Sequence, residues 1–166
     1  MRAPGALSSA PIFIDCQAVI ELHELELKDS GGLPGMRDRN SLEAAVAAPQ
    51  QLHNYDKDAD LVDMAASYLY SIAKTHAFND GNKRTAYVTC LSFLDLNGIN
   101  LGAPTALELA TLAIASKDRF DRDLLDRKGL TGLLRLMVSL LADDPQYYAA
   151  TYFRRATPAR VQKPFP

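Results

Sequence analysis

The sequence predicts an all-α protein, a bundle of about five to seven helices joined by short connections. Three observations carry this. Apolar residues recur at helical spacing in several successive segments. Helix-capping and helix-stopping residues stand at the ends of those segments. No segment alternates apolar and polar residues with the period of a half-buried strand.

In chain order, residues 1–11 read as a flexible leader. From Phe13 to Leu27 the positions Cys16, Val19, Ile20, His23 and Leu27 share one helix face, with Asp15 as cap and Gly31-Gly32 as stop. A second helix is expected near Asn40, with Asn40 and Glu43 as a capping box, Leu42, Ala45 and Val46 as the apolar side and Pro49 as terminator. Residues 50–59 are polar and suit a loop or a short exposed strand. Asp60 opens a third helix on which Leu61, Met64, Ala65, Tyr68, Leu69 and Ile72 form a clean apolar stripe. The run from Arg84 to Leu96 is apolar on several faces and reads as the central buried helix, stopped by Asn97-Gly98. Thr105 and Glu108 suggest another capping box, and a last helix is expected over about residues 130–141, closed by Pro145. The domain spans residues 12–142, and 143–166 form a C-terminal tail rich in Tyr, Arg and Pro.

Composition narrows the function classes. The chain has 166 residues, 48% hydrophobic and 23% charged, enough to bury a core without disulfides or metals. A formal charge of −2 gives no general attraction to nucleic acid or anionic membranes. Cys16 and Cys90 form no metal-binding pair and are expected as free thiols. Neither a signal peptide nor a membrane-spanning apolar run is present, so a cytoplasmic location is expected.

The chemistry concentrates in His76-Ala77-Phe78-Asn79-Asp80-Gly81-Asn82-Lys83-Arg84, between two strong helices. A helix start there offers unpaired N–H groups and partial positive charge to phosphate, and Gly81 allows close approach. His76 can exchange a proton near neutrality. Asp80 can hold Mg²⁺ against phosphate oxygens. Asn82 can orient a ligand, and Lys83 and Arg84 can pair with a polyphosphate. Phe78 is expected to anchor the loop in the core. Taken singly, each residue has a plain structural role; together they are the parts for group transfer from a nucleotide.

This segment resembles the signature of the Fic/Doc superfamily, H-x-F-x-D/E-G/A-N-x-R. Lys83 followed by Thr85-Ala86 resembles its Doc (death-on-curing) branch, where the adenylyltransferases usually carry Gly at that position. The stretches Gly31-Gly32-Leu33-Pro34-Gly35-Met36-Arg37-Asp38, Ser41 to Ala45 and Phe93 to Gly98 also resemble Doc-type proteins. The resemblance implies a Fic-fold helical bundle, with a short flap strand or hairpin. It implies His76 as base and Asp80 as the Mg²⁺ ligand, and an anion hole from Gly81 to Lys83. It places Lys74, Asn79, Gly81, Asn82, Lys83 and Arg84 at the nucleotide, ATP. Gln51, Leu52, His53, Asn54 and Tyr55 are assigned to a target-docking flap. It further implies a toxin that phosphorylates a threonine of a translation factor such as elongation factor Tu, neutralised by a Phd-like antitoxin.

Two other functions compete. An adenylyltransferase on the same scaffold would transfer AMP, and an inactive interaction module would bind a partner through the groove. Elsewhere, His23 is expected as a satisfied core histidine, Arg37-Asp38 as a structural ion pair, and Tyr147, Tyr148, Arg154, Arg155, Arg160 and Lys163 as packing or solvated tail residues.

Overall fold

The computed structural model describes residues 10–115 and 125–142. Its helices are α1 Cys16–Ser30, α2 Arg39–Tyr55, α3 Leu61–Thr75, α4 Asn82–Leu96, α5 Thr105–Ile114 and α6 Arg127–Ala142. The all-α reading holds: among the described residues no strand forms, and an isolated antiparallel bridge joins Met36 to Phe78. No described helix is long and apolar enough to cross a membrane. Residues 1–9 of the leader and the tail from 143, with Pro145 and the Tyr, Arg and Lys residues singled out there, lie outside the described residues.

The bundle is organised around α3, which packs against α2, α4, α5 and α6. It buries Val62, Met64, Ala65, Ala66, Ser67, Tyr68, Leu69, Ile72 and Ala73, so it is covered on nearly every side. This corrects the expectation that the Arg84–Leu96 segment is the central helix. Small residues explain the difference. Ala65, Ala66, Ser67 and Ala73 add little to an apolar stripe, yet they let neighbouring helices approach the backbone closely. Helix α4 still buries Thr85, Ala86, Thr89, Cys90, Phe93 and Leu94. Both cysteines are free, and burial pushes the Cys90 thiol up to about 12.

The helix ends confirm some expected caps and replace others. Asp15 caps α1 by accepting from the Ala18 N–H at 2.8 Å. Asp60 caps α3 in a full capping box with Asp63. At α2 the cap is Asp38, whose carboxylate accepts from the Ser41 N–H at 2.9 Å, while Glu43 pairs with Arg39 at 2.8 Å. The expected Asn40–Glu43 box is therefore absent. Pro104 precedes α5 with no side-chain cap, so Thr105 and Glu108 do not form one either.

Pro49 does not end α2. It lies inside the helix, buried, and the helix runs on to Tyr55. Proline removes one N–H from the ladder; packing of Pro49 itself, with Leu52 and His53 half-buried beyond it, keeps the following turns helical. Gln51, Leu52, His53, Asn54 and Tyr55 are thus the last turns of α2 and not a loop or strand. The His53 ring faces Phe13, with centroids 5.9 Å apart.

Two clasps fasten the segment before α1. The Tyr68 hydroxyl accepts from the Ile14 N–H at 3.0 Å and donates to the Ile14 carbonyl at 2.9 Å. The Asn97 amide does the same for Ile12, accepting at 2.9 Å and donating at 3.0 Å. Burial pushes the Tyr68 phenol up to about 12. At the other end, Arg135 of α6 forks across Asp60 and Asp63, at 2.6 Å and 2.8 Å.

Tyr68→Phe strands both buried main-chain groups of Ile14, so it should cost about 1–3 kcal/mol in urea unfolding. Asp60 provides a pH test. Burial alone would raise its pKa, but the bonds from Arg135 and the Asp63 amide outweigh that and hold it below the ordinary 3.8. Its contribution is therefore present above that value and lost as pH falls through the folded pKa. Asp60→Asn keeps a competent cap, so it should flatten the acid limb of stability below about pH 4 while changing neutral-pH stability by about 1 kcal/mol or less.

Candidate active site

The chain leaves α3 at Thr75 through His76, whose backbone is left-handed (φ 49°, ψ 36°). It is the one non-glycine residue with positive φ among the described residues. Histidine tolerates this conformation better than branched residues do. The turn leaves the His76 side chain exposed while Ala77 and Phe78 go into the core. Phe78 is 1% exposed, the anchor expected of it.

The loop is pinned from the far side by Asn82. Its side-chain oxygen accepts from the Phe78 N–H at 2.9 Å, and its amide nitrogen donates to the Phe78 carbonyl at 2.9 Å. Asn82 thus serves the loop's own backbone. Gly81, left-handed at φ 74°, is the N-cap of α4 and brings no side chain to that end. The N–H groups of Asn82, Lys83 and Arg84 have no carbonyl within the helix to meet. They form a shelf of donors at the positive end of the helix dipole.

Across the loop lies a strap, residues 31–38. The Arg37 and Asp38 amides donate to the Ala77 carbonyl at 2.7 and 3.2 Å, and the Asn79 amide donates to the Gly35 carbonyl at 2.9 Å. Side chains extend the seam. Asn79 donates to the Pro34 carbonyl at 2.9 Å and accepts from Arg37 Nε at 3.2 Å. Arg84 donates to the Gly31 carbonyl at 2.9 Å. The expected Arg37–Asp38 ion pair is absent, because Arg37 turns to Asn79 and Asp38 to the start of α2. Glycine is required in the strap: a Cβ on Gly32 would stand 2.7 Å from Asp80 Oδ2 and 3.2 Å from Arg84 Nη2.

The sequence candidates therefore fall into two groups. His76, Asn79, Asp80, Gly81, Asn82, Lys83 and Arg84 are brought together around the start of α4. His76, Asp80 and Lys83 are exposed there. Lys74 is half-buried on the last turn of α3, its ammonium 5.5 Å from the Tyr70 ring centroid. Gln51 to Tyr55 belong to the end of α2, whereas the segment that bridges to the loop is the strap. The glycine run Gly31-Gly32 and Gly35 was the available signal for it.

The Asp80 carboxyl is held below the usual range by bonds from the Gly81 amide and then the Leu33 amide. Among the described residues no group of three or more His, Cys, Asp or Glu could hold a metal ion. One exposed carboxylate beside the donor shelf fits Mg²⁺, a cation that keeps several waters and needs few protein ligands.

Beneath the shelf lies His23, buried at 3% exposure. Its ring stacks on Phe78 with centroids 3.7 Å apart and 14° between planes. Nδ1 lies 3.0 Å from Thr85 Oγ1. Nε2 is buried with no partner among the described residues, so the expected satisfied core histidine is only half satisfied. Burial lowers its pKa, which favours the neutral ring.

Residues 13–94 match the model of the Fic/DOC family. Over 104 residues the chain is 38% identical to "Protein kinase doc" of Escherichia phage P1, covering 62% of this chain and 80% of that relative. Over 74 residues it is 46% identical to "Toxin Doc" of Mycolicibacterium smegmatis (strain ATCC 700084 / mc(2)155), covering 44% of this chain and 57% of that relative.

Asn82→Ala should release Phe78 and loosen the loop. The stability loss should be about 1–2 kcal/mol, measured by urea unfolding.

Proposed function

Because this chain belongs to the Fic/Doc family, on its Doc branch, we propose that it is a Doc-like toxin that transfers the γ-phosphate of ATP to a protein hydroxyl. The observation that carries this is the exposed imidazole of His76 beside a helix start with no side-chain cap, flanked by exposed Asp80 and Lys83. A base, a carboxylate and a row of free amides converge on one surface.

The target hydroxyl oxygen attacks Pγ. A new O–P bond forms as the bond from Pγ to the bridging oxygen breaks, and ADP leaves. His76 takes the hydroxyl proton. The amides at the start of α4, with Lys83 and Arg84, hold the phosphates and offset the charge that spreads over their oxygens. Asp80 would hold Mg²⁺, which would supply positive charge to the phosphates.

Lys83 supports γ-transfer over AMP transfer. Its side chain stands in the first turn of α4, where a small residue would leave room for the phosphates that an adenylyltransferase must seat beyond Pα. The relative from Escherichia phage P1 is named a protein kinase. A threonine of a translation factor such as elongation factor Tu is the target class this reading favours, with a Phd-like antitoxin as its cytoplasmic partner. The strap, rather than the helical Gln51 to Tyr55, is the edge on which an extended target segment would dock, since it carries the antiparallel bridge from Met36 to Phe78 beside the loop.

In a translation extract, label from γ-labelled ATP should reach a protein band, and label from α-labelled ATP should not. His76→Ala should lower transfer by at least about a hundredfold and abolish growth arrest on induction. Transfer of α-label would replace the kinase with an adenylyltransferase. Equal growth arrest by wild type and His76→Ala would leave only an interaction module.

A further inference from the structure

The phosphate shelf is made of main-chain amides, so its geometry depends on whatever fixes Gly81. One buried imidazole touches both ends of the loop. The His23 ring lies flat against Phe78, the residue that anchors the loop's entry. At the exit, a methyl group on Gly81 would stand 3.2 Å from His23 Cε1 and 3.3 Å from Nδ1, so the ring edge backs directly onto that α-carbon.

The hydrogen bonds assign the proton. The Gly81 carbonyl can only accept, so the Thr85 hydroxyl, 2.9 Å away, donates to it. The same hydroxyl oxygen lies 3.0 Å from His23 Nδ1 and has no second proton to give. Nδ1 therefore carries the hydrogen and donates to Thr85. A directed chain results: His23 Nδ1–H to Thr85 Oγ1, and Thr85 O–H to the Gly81 carbonyl. The Thr85 amide also donates to that carbonyl, at 2.9 Å, so two donors, one of them held by His23, fix the orientation of the Gly81–Asn82 peptide.

The other nitrogen is informative because it does nothing for packing. Among the described residues Nε2 is buried without a partner, a cost that an apolar ring of similar size would avoid. The retained function of the imidazole is thus its Nδ1 donor. Resting on the phosphate-transfer reading above, we propose that His23 is a positioning residue: through Thr85 it aims the amides at the start of α4 toward the transferring phosphates. It touches neither substrate nor nucleotide.

Two substitutions separate this role from simple packing. His23→Phe keeps a ring against Phe78 and removes the donor. His23→Asn loses the stack but keeps an N–H near the position of Nδ1. If His23 acts by positioning, thermal stability should be lower in His23→Asn than in His23→Phe, while kcat should fall in the order wild type, His23→Asn, His23→Phe. The Phe variant should lose about tenfold to a hundredfold in kcat with a smaller change in KM for ATP. Activity that follows stability, or an unchanged kcat in His23→Phe, overturns the proposal.

A second readout needs no catalysis. Imidazole ¹⁵N NMR of the wild type should show the Nδ1–H tautomer, and His23→Phe should shift the Gly81 and Asn82 amide signals, with partial return in His23→Asn. An Nε2–H tautomer, or amide signals unmoved in His23→Phe, also overturns it. If the wild type transfers no label and binds no ATP, the phosphate-transfer reading fails separately, and the NMR result alone decides whether His23 sets the loop.

Discussion

The structure turns on how the polar loop between α3 and α4 is held at the surface while the first amides of α4 take no side-chain cap. A loop of this kind normally satisfies a following helix start with an Asx or Ser/Thr cap. Here the cap is Gly81, and the side chain that would serve, Asn82, sits one position too late and turns back to both main-chain groups of Phe78. The loop gains its rigidity from that two-bond brace and from Phe78 in the core. The helix start stays available to an anion.

Everything around the loop reinforces this arrangement. Helix α3 is enclosed by neighbours, so its C-terminal end, and with it His76, is a fixed point of the molecule. Helix α1 carries His23 to the underside of the loop, and the segment before α1 is fastened to α3 and α4 through Tyr68 and Asn97. The strap closes the other flank by backbone pairing with Ala77 and Asn79. Because its contacts to Asp80 and Arg84 depend on glycines, the strap lies closer to these charged groups than any side-chain-bearing segment would. The Arg84 guanidinium is held to the strap by the Gly31 carbonyl at 2.9 Å.

Much of this was legible from residue order. The helix segments followed their apolar spacing, Asp15 and Asp60 capped as their positions suggested, and the nine residues from His76 to Arg84 stood out by their chemistry. Errors came where local signals compete with packing. Pro49 read as a terminator because one lost hydrogen bond is a local property, while the burial that carries α2 to Tyr55 is not. Asn40–Glu43 and Thr105–Glu108 matched a capping pattern, yet Asp38 and Pro104 precede those helices instead. Residues 51–55 read as a loop or short strand from their polarity, while the structure makes them the last turns of α2 and lays the glycine-rich strap beside the site.

Residue order by itself determined the all-helical class, the apolar face of α3 and the composition of the polar loop before α4, because spacing and residue type are properties of the chain. Only the tertiary structure decided that α3 is the central helix, that Asn82 serves the backbone, that the strap lies across Asp80 and Arg84, and that His23 belongs to the site. Each of these joins residues distant in sequence or depends on which of several possible hydrogen-bond partners is within reach. Small residues such as Ala65, Ala66 and Gly32 matter most there, through how closely they let other parts of the chain approach.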